Sequence, residues 1–164
     1  MKRHVVFMVM IIFVLLLLSG CWQDPVQEDL LDYINNKLTP LVETEEQIIN
    51  RYDSVIGENY TSDEVTYKVL TEEVIPKYRD FVEKLEEIQP QTEEVQEVHE
   101  IYLSAVNKQY NAMTQVAAAI EQLDTNLIVQ ANEKMAEGRS EIRTFQSKLH
   151  TLAKEHNVEI QKPE

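Results

Sequence analysis

Four histidines, 29 acids, seven tyrosines and one cysteine are the side chains with which this 164-residue chain could do chemistry. A lone thiol, Cys21, excludes both an internal disulfide and a cysteine-based zinc cluster. No Gly-rich phosphate loop, Gly-x-Ser-x-Gly or His-Glu-x-x-His occurs. A di-metal helical site would need Glu-x-x-His on two helices, but Gln96 stands at that spacing before His99 and Ala153 before His156. The densest patch is acidic, running through Glu83, Glu86, Glu87, Glu93, Glu94, Glu97 and Glu100 with no basic residue between Lys84 and Lys108. Within it Glu86, Glu87, Glu93, Glu94, Glu97 and His99 form a candidate contact for a divalent cation or a basic partner. Helix first-turn placement and solubility account for the same acids. No enzyme activity, resident metal or cofactor is expected. Tyr33, Tyr52, Tyr67, Tyr78, Tyr102 and Tyr110 fall in helical tracts, where a Tyr sets its ring at the core edge and its hydroxyl in water.

The cysteine has a different use. Lys2, Arg3 and His4 form a basic head, Val5 to Leu18 is an uninterrupted apolar run, and Ser19 and Gly20 lead into Cys21. This is the pattern of a secretory signal peptide over residues 1–20. Its apolar run covers only about 21 Å of a roughly 30 Å hydrocarbon layer, too little for a permanent span. Leu18-Ser19-Gly20-Cys21 resembles the lipobox of bacterial lipoproteins at all four positions, which signal peptidase recognises. The resemblance implies diacylglycerol on the Cys21 thiol, cleavage just before it, and attachment to the extracytoplasmic side of the cell membrane. Two acyl chains at about 0.8 kcal/mol per buried CH₂ hold a domain there without other help. Residues 21–24 would then be the lipidated Cys and a short tether.

The elements that follow are helical. Only 3 Gly and 5 Pro in 164 residues argue against a turn-rich β fold, and 43% hydrophobic residues suffice for a core. Asp24-Pro25 is an N-cap acid with Pro at the first helical position, followed by a stripe of Val26, Leu30, Ile34, Leu38, Leu41, Ile48, Tyr52 and Val55 that predicts one helix kinked at Pro40. Thr61 and Glu64 have capping-box spacing, and Tyr67, Leu70, Val74, Tyr78, Phe81, Leu85 and Ile88 line a second helix, with a kink at Pro76. Thr92 caps a third helix, whose stripe runs Val95, Val98, Tyr102, Ala105, Gln109, Ala112, Val116, Ala119, Leu123. Asp124-Thr125 opens the fourth, with Ile128, Ala131, Met135, Gly138, Ile142, Phe145, Leu149 and Leu152 on one face. Gly138 on that face predicts close backbone contact with a neighbour.

Short connections make consecutive helices neighbours, so the expected fold is all-α: an antiparallel up-down-up-down four-helix bundle over residues 25–157, with 158–164 a polar tail. The alternative is a three-helix bundle on an N-terminal helical stalk. Loss of Lys2 and Arg3 with the signal peptide moves the formal charge two units, from −14 to −16. Such an acid excess excludes nucleic acid as a partner. A lipobox followed by a small acidic helical domain resembles lipoproteins of bacilli and related Gram-positive bacteria, among them ones described as cell-wall binding and ones of uncharacterised activity. That resemblance is one of general layout. It implies a non-enzymatic interaction or structural protein of the cell envelope, whose partner would be an envelope protein or a cell-wall component. A module binding a small ligand or cation is the alternative, and it requires a pocket lined by converging polar residues. The oligomeric state is left open.

Overall fold

The computed structural model describes residues 24–160, so the lipobox of Leu18, Ser19, Gly20 and Cys21 lies outside the described residues. Asp24 accepts hydrogen bonds from the Val26 and Gln27 amides (3.1 and 3.2 Å), and Pro25 occupies the first helical position. The first helix (residues 25–53) consists of α1 (Pro25–Asp32), a π-helical turn (Tyr33–Leu38) and α2 (Thr39–Asp53). After a short 3₁₀ turn (Gly57–Asn59), the second helix (63–86) consists of α3 (Asp63–Val69), a second π turn (Leu70–Val74) and α4 (Ile75–Glu86). The third and fourth helices are α5 (Glu93–Gln122) and α6 (Thr125–Glu155). There is no strand, and no helix long and apolar enough to cross a membrane, among the described residues.

The two expected kinks are π turns. Each ends just before a proline, Pro40 or Pro76, and in each the residue preceding the proline donates its amide five residues back, Thr39 to Ile34 and Ile75 to Leu70. A proline ring collides with the carbonyl four residues earlier, and widening the turn by one residue gives it room. The Thr39 hydroxyl also donates to the Ile34 carbonyl (2.8 Å). An extra residue rotates the following stripe, which is why Leu70, Val74 and Tyr78 at 4-then-4 spacing are all buried.

Leu30, Tyr33, Leu70, Tyr78, Phe81, Leu85, Val95, Val106 and Met113 form the deepest core. The segment before Pro40 is no stalk: Val26, Leu30 and Tyr33 are buried, and α1 packs on α5. The third and fourth helices pack most extensively, with Gly138 against Ala105 and Gln109, and Ala112, Ala131 and Met135 also buried on these two helices. Three local expectations need correction. Ser62, not Thr61, caps the second helix, accepting from the Val65 amide (3.3 Å). Val158, placed in the tail by its polar neighbours, is buried, its amide bonded to the Ala153 carbonyl (2.7 Å). Leu123 continues the stripe of the third helix in sequence, yet lies beyond its end and is 83% exposed.

Candidate functional site

Two carboxylates of the first helix close one end of the domain. Asp24 Oδ2 lies 2.7 Å from His156 Nδ1, and Gln27 Nε2 donates to the His156 carbonyl (2.7 Å), joining the start of the first helix to the end of the fourth. The bond from His156, reinforced by the Gln27 and Val26 amides, holds the Asp24 carboxyl below its usual range. Asp29 Oδ2 accepts from the Gln91 amide (2.8 Å), the Thr92 amide and the Thr92 hydroxyl (both 2.7 Å). Thr92 is the N-cap residue of the third helix but makes no side-chain cap bond of its own. A buried acid from the first helix thus satisfies donors at the start of the third, where the helix dipole also favours negative charge.

Glu86, Glu87, Glu93, Glu94 and Glu97 surround this end and are all exposed. They do not converge: no group of three or more His, Cys, Asp or Glu among the described residues is arranged to hold a metal. His99 is separated from them, 4% exposed and turned into the core.

In the core His99 belongs to a polar seam drawn from three helices. Its Nδ1 shares a 3.1 Å hydrogen bond with the Tyr33 hydroxyl, and the rings meet edge to face. Burial pushes the His99 pKa down, against the Glu100 charge and the Leu85 carbonyl, which favour the protonated ring. Tyr102 donates to Glu45 Oε2 (2.7 Å), and burial raises the pKa of Glu45 despite that bond. Tyr78 Oη and His99 Nε2 are buried without a hydrogen-bond partner that meets ordinary geometry. Burial raises the pKa of Tyr33, Tyr78 and Tyr102, so these hydroxyls are protonated and inside the fold, not in water at its edge as their sequence setting suggests. Tyr67 and Tyr110 are the half-buried kind expected.

Beside the π turn of the first helix a cleft of about 410 Å³ opens toward the end of the second. Asn36, Lys37, Lys84, Glu87 and Gln89 supply its polar lining, while Pro40, Leu41 and Ile88 supply an apolar wall. None of these residues forms a sequence motif. The only sequence signal for the cleft was Pro40 itself, which forces the widened turn.

The opposite end of the domain carries a smaller hollow of about 190 Å³ between the start of the second helix and the turn joining the third to the fourth. Ala119, Ile120, Leu123 and Ile128 form its apolar lining, with Asp63 and Asp124 at its rim. Tyr60, 51% exposed, donates its hydroxyl to Asp63 Oδ1 (3.1 Å). Sequence periodicity hid this end, because it assigned Leu123 to the core.

A family model described as EMYY-motif containing lipoprotein matches residues 1–164. The tetrapeptide Glu-Met-Tyr-Tyr occurs nowhere in the chain, so the description assigns no residue a role. Neither a curated protein nor a solved structure matches.

Proposed function

Since this chain belongs to the EMYY-motif containing lipoprotein family, and so to the membrane-anchored lipoproteins of the cell envelope, we propose that it is a non-enzymatic interaction protein, held on the extracytoplasmic side by diacylglycerol on Cys21. The observation that carries this reading is the polarity of the domain along its length. Asp24, Asp29 and His156 bind three helix ends together immediately after the tether. The third helix then runs 30 residues, about 45 Å, to an end with exposed apolar side chains.

The arrangement we assign is the up-down-up-down bundle. The Asp24–His156 and Asp29–Thr92 pairs support it, and the Arg139–Asp53 ion pair (3.6 Å) sets the end of the first helix against the middle of the fourth. In that arrangement Glu86, Glu87, Glu93, Glu94 and Glu97 face the bilayer. Each charge within a Debye length of an anionic lipid surface is disfavoured by about 1 kcal/mol, so the domain stands off the lipid or meets cations or a basic partner there. The test is photocrosslinking in intact cells, with the reactive group placed at Glu121 and, separately, at Glu94. The reading expects a discrete protein or cell-wall adduct; the absence of any adduct from either position contradicts it.

A ligand-binding module is the second reading, favoured by the cleft beside Lys37 and Lys84, where polar groups of both signs converge over an apolar wall. Leu41→Trp, which would fill that cleft, should abolish ligand protection in a thermal-shift screen of cell-wall fragments. Protection that survives the substitution would remove the cleft from consideration.

A further inference from the structure

We propose that the end of the domain opposite the anchor docks a basic amphipathic segment of a partner protein, with Leu123 as the apolar contact and the surrounding acids as the charge partners. This rests on the interaction-protein reading and gives it a surface and a ligand chemistry.

The first observation is backbone strain. Leu123 ends the third helix at φ +54°, ψ +35°, the left-handed conformation, with its amide bonded to the Ala119 and Ile120 carbonyls and the Asp124 amide to Ala119 (3.0 Å). This is the position that Gly favours at a helix C-terminus, because any Cβ there is disfavoured. Leu is a poor choice locally, and being 83% exposed it receives nothing from the core in return. A residue that costs the fold stability and is left in solvent is of the kind found at functional positions.

The second observation, charge, is independent. Asp63 and Asp124 line the hollow, Glu58, Glu64 and Glu121 lie within five residues of them in the chain, and no Lys or Arg occurs between Arg51 and Lys68 or between Lys108 and Lys134. An apolar hollow whose charged lining residues, Asp63 and Asp124, are both acids selects its occupant. Anionic lipid is repelled, and a second copy of the chain would bring the same acids against these, a juxtaposition that is destabilising at an interface. A segment with Lys or Arg flanking a large apolar side chain meets both requirements, its apolar group in the hollow and its cations on the rim.

The experiment titrates the full lipidated protein, in nanodiscs of neutral phosphatidylcholine, with a labelled peptide of alternating Leu and Lys. Leu123→Gly should weaken binding about tenfold while raising the melting temperature by about 2–4 °C, since the strain is relieved as the contact is lost. A control variant with Glu46, Glu72 and Glu155, exposed acids outside both ends' candidate contacts, changed to Gln should bind as the parent does. Parental affinity in Leu123→Gly overturns the proposal, as does equal weakening by the control, which would reduce the binding to net charge. Loss of affinity together with a lower melting temperature also overturns it, because Leu123 would then be structural. Failure here leaves crosslinks from other surfaces intact, whereas loss of all crosslinks in cells would remove the reading beneath it.

Discussion

Gly138 lies so close to Gln109 that a Cβ on it would sit 2.8 Å from Gln109 Cγ and 3.0 Å from the Ala105 carbonyl oxygen. Neither neighbour is the free end of a flexible chain. In an open helix Gly→Ala gains about 1 kcal/mol, but at this contact overpacking costs roughly 1–3 kcal/mol. We therefore expect Gly138→Ala to lower the melting temperature and Gly138→Leu to lower it further, by differential scanning calorimetry. A stabilising Gly138→Ala would mean the third and fourth helices are not packed this tightly.

Phe145 stacks on Tyr102 with ring centroids 4.5 Å apart and planes 10° from parallel. Phe145→Ala should cost about 3–5 kcal/mol in urea unfolding through the cavity it leaves. Lys148, exposed on the same helix, should change stability by less than about 0.5 kcal/mol when replaced by Ala. Equal effects at the two positions would contradict burial of the fourth-helix stripe.

His99 predicts an acid-side loss of stability. Its folded pKa is depressed below the ordinary 6.5, so the unfolded chain binds the proton more tightly. Stability is complete above 6.5 and falls as pH drops from 6.5 toward the folded value. Glu45 acts oppositely: its raised pKa means that stability is gained as pH falls through the folded value toward 4.5. His99→Gln keeps a polar partner for Tyr33 but cannot titrate. The difference between parent and His99→Gln melting temperatures should therefore shift in the parent's disfavour between pH 7 and 5. A flat difference would place His99 in water.

The outline of four helices was legible because Val95 to Ala119 and Ile128 to Leu152 keep the 3,4 spacing that one buried face requires, and because Asp24, Thr92 and Asp124 mark helix starts. The polar interior was not. Val26, Leu30 and Tyr33 keep ordinary 4,3 spacing, but the π turn then inserts a residue, so the next buried residue is Leu38, five further on, and no fixed-period count anticipates that. His99 and Asp29 are buried because the third helix packs on two sides and the first helix caps it, which are tertiary facts. Leu123 failed in the other direction. It keeps the period, but the helix ends one residue before it, and the missing Gly gave no warning.

The anchor rests on one atom. Cys21→Ala should abolish incorporation of labelled fatty acid and leave far-UV circular dichroism unchanged, since the described helices begin only at Pro25. Retained label would contradict lipidation at Cys21.

The central claim is that the domain stands on its anchor with the Leu123 end directed away from the bilayer. Cys21 is the only natural cysteine, and the proposed lipid on its thiol would block it, so a single introduced cysteine can carry a fluorophore. Energy transfer to a lipid-headgroup acceptor should be strong from Glu94→Cys and weak from Glu121→Cys, positions separated by about 40 Å of helix at 1.5 Å per residue. Equal transfer from the two positions would contradict the upright arrangement and, with it, the assignment of a working surface to the far end.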